Sequence, residues 1–315
     1  MRILFVTNQY PTDKTPGASP CIEQQKKSLE DLGFEVDVLF FNGPESRVNY
    51  LKAMWRVFWL IQVQKQYDLV HAHYGFCGIV ARAQFRCPVV VTFRGSDVFS
   101  PRERPISRMV SASVDKIIVM TEEMRKVLYK HDVKVIPYGV DLDVFKPQPR
   151  LIARQKLGLS PTAPLILFPY NPHRVEKRFD LIDRTIAILE KEFPEVQLLV
   201  VYNKPYDSIV DYMNACDALV LASDSEGAPM AVREAMACNL PVVSVDVGDV
   251  VSVIRGTEGC YICSKSPDDI AAKLSKVLLE RKRTNGYFVA SQFGLAKSAL
   301  EIAKIYEELL RRSIQ

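Results

Sequence analysis

Two doubly wound α/β domains, each Rossmann-like and facing a central cleft, are the architecture this 315-residue sequence predicts. Three observations carry the prediction. Short apolar runs alternate with longer helical stretches along the whole chain. The runs are continuous in Val, Ile and Leu, as in strands covered on both faces. The pattern breaks once, across IPYGVDLDVFKPQPR at residues 136–150, and then starts again.

In order, the expected strands of the first domain are ILFVT (from Ile3), VDVLFF (Val36), DLVHAH (Asp68), PVVVTF (Pro88), KIIVM (Lys116) and VKVI (Val133). Those of the second are PLILFPY (Pro164), VQLLVVY (Val196), ALVLA (Ala218), PVVSV (Pro241) and GCYIC (Gly259). Helical stretches between them imply right-handed crossovers and parallel sheets. The domains are expected at 1–148 and 149–296, with a closing helix at 297–315 that packs back on the first.

Composition narrows the function classes. Hydrophobic residues make up 48% and charged residues 25%, the balance of a globular protein. A formal charge of +4 is too mild for a nucleic-acid binder but suits an anionic ligand or a membrane surface. Met1-Arg2 runs directly into a strand-like segment, which reads as no export signal, and no apolar run has the length of a membrane span. A cytoplasmic location is therefore expected. The seven scattered cysteines read as free thiols, and Cys260 and Cys263 as strand residues rather than zinc ligands.

The richest chemistry lies in SEGAPMAVREAMACNLPVV, residues 225–243. ALVLAS before it is a strand, and MAVREAMAC is a helix with Pro229 in its first turn. The loop thus feeds a helix N-terminus, whose free N–H groups attract anions. Gly227 and Ala228 are small enough for close approach. Glu226, an acceptor-only group when ionised, suits hydroxyls. Glu234, amid small and apolar residues, needs either solvent or a polar ligand. A nucleotide sugar has that layout, hydroxyls at both ends and phosphate between. Capping by Glu226 and surface pairing by Glu234 explain the stretch equally well. NPHRVEKRFDLI, residues 171–182, adds Arg174 and Lys177 at the end of the preceding domain strand, and two loops that converge this way favour a diphosphate.

These residues resemble the family 4 retaining glycosyltransferases of GT-B fold. EGAPMAVRE resembles that family's two-glutamate signature, HRVEK its phosphate clamp, TFRGSDV its first-domain loop, PYGVDLDVFKP its linker and FVTNQYPTDKTPGASP its entry loop. The resemblance implies a metal-independent, hexosyltransferase-type enzyme without cofactor, the nucleotide-diphosphate sugar being its donor substrate. It implies catalytic roles for Arg174, Lys177 and Glu226, and donor contacts from Gly17, Gly227, Ala228, Pro229, Met230 and Glu234. Glu226 would hold the sugar and Glu234 the ribose. The 1–148 domain would serve the acceptor and the 149–296 domain the donor. The partners would be a nucleotide sugar and a glycan or glycolipid acceptor in polysaccharide or glycolipid synthesis, with no nucleic acid.

Two departures stand out. Arg94 occupies the place of the family's usual sugar-facing His, which makes Arg94, His73 and Asp97 candidates for sugar or acceptor contact. A structural role for His71 or His73 fits the sequence equally. The segment after VQLLVVY is short where the nucleotide base usually binds. A non-catalytic nucleotide-sugar-binding partner and a GT-B epimerase or hydrolase are the alternatives. Finally, YLKAMWRVFWLIQVQKQ, residues 50–66, reads mainly as a helix packed on the sheet. Peripheral contact with the inner face of a membrane through Arg56 and Trp59 is its second reading.

Overall fold

The structure, a computed structural model, describes residues 1–43, 45–128 and 132–314. It divides into two compact units. The first comprises Met1–Thr12, Ala18–Gly139 and the chain from Leu295 on. The second comprises Asp13–Gly17 and Val140–Gly294.

The first unit holds a parallel sheet of β1 (Arg2–Thr7), β2 (Glu35–Phe40), β3 (Leu69–His73), β4 (Val89–Thr92), β5 (Lys116–Val119) and β6 (Val133–Val135), in the order β2-β1-β3-β4-β5-β6. The second holds β7 (Leu165–Phe168), β8 (Gln197–Val200), β9 (Ala218–Leu221), β10 (Val242–Val245) and β11 (Tyr261–Cys263), in the order β11-β10-β9-β7-β8. All eleven expected strands form. The central ones are buried along their whole length, as their unbroken apolar runs require. β8 is only partly buried because it is an edge strand.

The units part at Gly139 and Val140, ahead of the 148/149 boundary placed from sequence. The cause is packing. Val140 and Phe145 are fully buried in the second core, Val140 bonds the Phe293 carbonyl at 2.9 Å, and Phe145 meets Tyr206 edge-on at 5.1 Å. The Pro- and Asp-rich stretch looks like a linker but is anchored by its apolar residues. At the amino ends of the second sheet, Asp217 accepts from Arg154 at 2.8 Å and from the Leu165 N–H at 2.8 Å, which fixes the Arg150–Lys156 helix there.

The closing helix, Leu295–Ile314, belongs to the first unit and packs on the Pro20–Glu30 helix; Gln315 lies outside the described residues. Its fully buried Tyr306 meets His71 Nδ1 at 2.5 Å and Phe34 edge-on at 5.8 Å. Burying a side chain of that size is worth about 1.5–3 kcal/mol. The helix within 50–66 runs Val48–Phe58 and continues as a wider turn over Trp59–Val63. The core-packed reading of this segment does not hold. Only Ala53, Val57 and Ile61 are buried, while Leu51, Trp55, Phe58, Trp59 and Val63 face out. No helix among the described residues is long and apolar enough to cross a membrane.

Candidate active site

In the second sheet the winding direction reverses between β7 and β9, the position where open α/β sheets bind ligands beyond their strand ends. The loops that leave these two strands carry most of the expected donor residues. They are fastened together. The Asp224 N–H donates to the Glu176 carbonyl at 2.8 Å, and the Asp224 carboxylate takes Arg178 at 3.3 Å and Lys265 at 2.8 Å.

Lys177 closes a single tight turn, Val175–Lys177, after which Arg178 adopts φ 53° and turns the chain into the next helix. That turn sends the Lys177 side chain inward. Its Nζ lies 2.5 Å from Glu226 Oε1 and 4.0 Å from the centre of the Tyr170 ring, with the lysine side chain 5% exposed. Burial lowers the lysine pKa and the Glu226 charge opposes that shift. An ammonium has three donors and Glu226 takes one. The Tyr170 hydroxyl is buried without a hydrogen-bond partner, and burial, then the charges of Glu226 and Glu234, hold its pKa well above the ordinary phenol value. It is therefore a standing hydrogen-bond donor beside both glutamates.

Glu234 lies in the Met230–Ala237 helix, and it is buried. Among the described residues no hydrogen bond or ion pair meets its carboxylate, so surface pairing does not account for it. Burial alone raises its pKa to about 8. The neighbouring Arg233 turns to Asp249 and lies 5.3 Å from the Phe293 ring centre. Gly227 and Pro229 are buried, and Ala228 and Met230 are half-buried at the helix start. There the first N–H groups lack intrahelical acceptors. Proline stands one place earlier than expected, as the cap before Met230.

Three expected contacts lie elsewhere. Arg174 is exposed and held by Glu176 at 2.5 Å, so it does not join Lys177. Gly17 packs on the 203–204 backbone, where a Cβ would come within 3.0 Å of Asn203 Cα, so its smallness serves that contact. Asp97, in the first unit, spends its carboxylate on backbone: Arg94 N at 3.0 Å, Gly95 N at 2.9 Å and Gly75 N at 3.2 Å. Burial still raises its pKa to about 6 against those donors.

Thr7, His73 and Thr92 align across the carboxyl ends of β1, β3 and β4. His71 is structural: its two nitrogens meet Tyr306 and, at 2.7 Å, Thr92 Oγ1, and burial lowers its pKa to about 3. His73 is fully buried, 4.4 Å from His71 ring to ring, and neither of its nitrogens has a partner. The Arg94 guanidinium donates to Ser19 Oγ at 3.1 Å and Cys21 Sγ at 2.8 Å and lies 5.4 Å from the Tyr138 ring centre. The two positions that depart from the family pattern, Arg94 and Tyr138, are thus one stacked pair.

Sequence reasoning missed Tyr170 and Gly248. Tyr170 was legible only as the end of a strand run. Gly248 follows β10 with φ +57°, and a Cβ there would stand 2.5 Å from the Gly227 carbonyl, so a glycine shapes the Glu226–Gly227 loop from outside. A glycine just past the next strand was the available signal. Among the described residues no group of three His, Cys, Asp or Glu stands together as a metal site.

Comparison with known proteins matches both units. The model for glycosyltransferase family 4 matches residues 15–144, and the model for glycosyl transferases group 1 matches residues 183–287. A D-inositol 3-phosphate glycosyltransferase of Streptomyces bingchenggensis is 27% identical, covering 78% of this chain and 67% of that one. A Bacillus subtilis glycosyltransferase, TuaC, whose name refers to teichuronic acid biosynthesis, is 24% identical over the whole of both chains. Among solved structures, sucrose-phosphate synthase from Thermosynechococcus elongatus superposes with a TM-score of 0.78 at 18% identity, covering 99% of this chain and 100% of that one. Anabaena HepE, solved with UDP-glucose, gives 0.72 at 20% identity, covering 98% and 100%.

Proposed function

The chain belongs to the group 1, family 4 glycosyltransferases of GT-B fold, and from that premise we propose a retaining, metal-independent transfer of a hexose from a nucleotide-diphosphate sugar to a hydroxyl acceptor. The observation that carries this reading is the arrangement at the β7/β9 reversal: a buried lysine held on Glu226, with a buried carboxylate, Glu234, one turn into the following helix and without a partner among the described residues.

In this reading Glu234 takes the ribose hydroxyls, for which an ionised carboxylate offers acceptors only. Glu226 takes sugar hydroxyls while it keeps Lys177 in place. Lys177 turns its remaining donors to the leaving diphosphate, where charge grows as the glycosidic bond breaks and a fixed cation stabilises the transition state most. Tyr170 donates to the same region. Arg174 would have to leave Glu176 to assist. Retention without a protein nucleophile leaves the acceptor proton to the departing phosphate. A polysaccharide acceptor fits the name of the Bacillus subtilis relative, whereas the Streptomyces relative is named for a small polar acceptor, D-inositol 3-phosphate; a lipid-borne acceptor would place the reaction at the cytoplasmic face of a membrane.

The test is calorimetry against a panel of nucleoside diphosphates, then nucleotide release from matched donors with and without acceptor extract. Tight binding and acceptor-dependent release are expected, with the product anomer of the donor's configuration by NMR. An inverted anomer would sink the retaining reading. Binding without turnover would favour a non-catalytic nucleotide-sugar-binding protein.

A further inference from the structure

The outward face of the Val48–Val63 segment presents Leu51, Trp55, Phe58, Trp59 and Val63, each between 42% and 66% exposed. At helical spacing Leu51, Trp55, Phe58 and Trp59 fall within an arc of about 100°. The Trp55 and Trp59 rings stack at 5.7 Å into one ridge, and they are the only two tryptophans in the sequence. Lys52 and Arg56 border the ridge on one side and Arg47 on the other; Lys65 follows its last turn. From Arg47 to Tyr67 the sequence has no Asp or Glu. Among the described residues none of these four cations is in an ion pair with a carboxylate. Elsewhere on the unit cations such as Arg2, Lys26 and Arg82 are paired with carboxylates.

We propose that this face docks on an anionic lipid bilayer, the tryptophan ridge entering the headgroup boundary and the basic borders meeting lipid phosphates. Apolar and aromatic side chains edged by cations fit an interface that is apolar below and negatively charged above. A second copy of the chain fits poorly, because a two-fold contact through this face would set basic border against basic border. The proposal deepens the lipid-acceptor reading and borrows its purpose from it. Docking itself stands apart from donor chemistry, since the helix carries none of the donor residues.

The two tryptophans make the test direct. The whole protein is mixed with vesicles of phosphatidylcholine and with equimolar phosphatidylcholine and phosphatidylglycerol, and bound protein is read by sedimentation and by tryptophan emission. Binding to the anionic vesicles with a blue shift is expected, weakened by salt and by neutral lipid. Lys52→Glu with Arg56→Glu should weaken it by about tenfold or more, at roughly tenfold per 1.4 kcal/mol and about 1 kcal/mol per basic residue near the surface. Trp55→Ser with Trp59→Ser should weaken sedimentation comparably, while melting temperature and nucleotide release from soluble substrates stay unchanged. No binding, equal binding to both vesicles, or binding without an emission shift would each overturn the proposal. So would a lipid-free dimer that the tryptophan variant dissolves. Absent nucleotide release with vesicle binding intact would fail the transferase reading alone.

Discussion

The carboxyl ends of the two sheets handle buried ionisable groups in opposite ways. In the first unit His71 has both nitrogens engaged and Asp97 accepts three backbone N–H groups. In the second, among the described residues, no hydrogen bond or ion pair meets the Glu234 carboxylate, the buried Tyr170 hydroxyl has no partner, and Lys177 is matched by a single carboxylate oxygen. A group whose hydrogen bonds are filled by the fold is scaffold. A buried group left unfilled costs stability until a ligand completes it. The contrast favours the second unit for ligand chemistry, although among the described residues His73, Tyr138 and Gln25 of the first also keep buried polar atoms without a partner.

Lys177→Ala should break this contrast most severely, lowering turnover by about 10²–10³-fold, the scale for losing one transition-state donor. Circular dichroism should report an intact fold; turnover near the parent value would remove Lys177 from the chemistry.

Gly248→Ala comes next. The added Cβ meets the Gly227 carbonyl in a backbone conformation hostile to L-residues, a strain of about 1–3 kcal/mol. A higher donor KM and a lower melting temperature are expected. If neither moves, the 226–227 loop is not held from that side.

Glu234 carries a pH signature. Its folded pKa, about 8, stands above the ordinary carboxylate value. Between the two the folded state binds more protons, so stability contributed here is full at low pH and falls as pH rises toward 8. Ribose hydroxyls favour the ionised form, so nucleotide binding near pH 7 should release a proton. Calorimetry in buffers of different ionisation enthalpy measures that release, and Glu234→Gln should abolish it and flatten the stability profile.

The smallest effects separate the two histidines. His71→Phe loses two hydrogen bonds and leaves the Tyr306 and Thr92 hydroxyls unpaired, which should cost about 1–3 kcal/mol in denaturant unfolding. His73→Phe loses none and should be near neutral for stability. A fall in turnover at unchanged stability would assign His73 to substrate, and equal destabilisation would end the distinction.

Sequence by itself determined the elements and the location of the chemistry. Continuous Val/Ile/Leu runs can hardly be anything but two-sided parallel strands, and EGAPMAVRE and HRVEK mark a loop–helix junction and a cationic loop by residue type alone. Tertiary structure decided which polar groups were already occupied. Nothing local distinguishes Arg174 from Lys177, three residues apart, or Asp97 from Glu234. One pair is separated by a turn that sends Lys177 inward, the other by whether backbone N–H groups from distant segments converge on the carboxylate. The exposed tryptophan helix belongs with these. Its apolar width suits a core, and only the burial of Ala53, Val57 and Ile61 shows which narrow stripe the fold covers. Hydrogen-bond saturation and burial depend on partners brought together from far along the chain, so they emerge only when it folds.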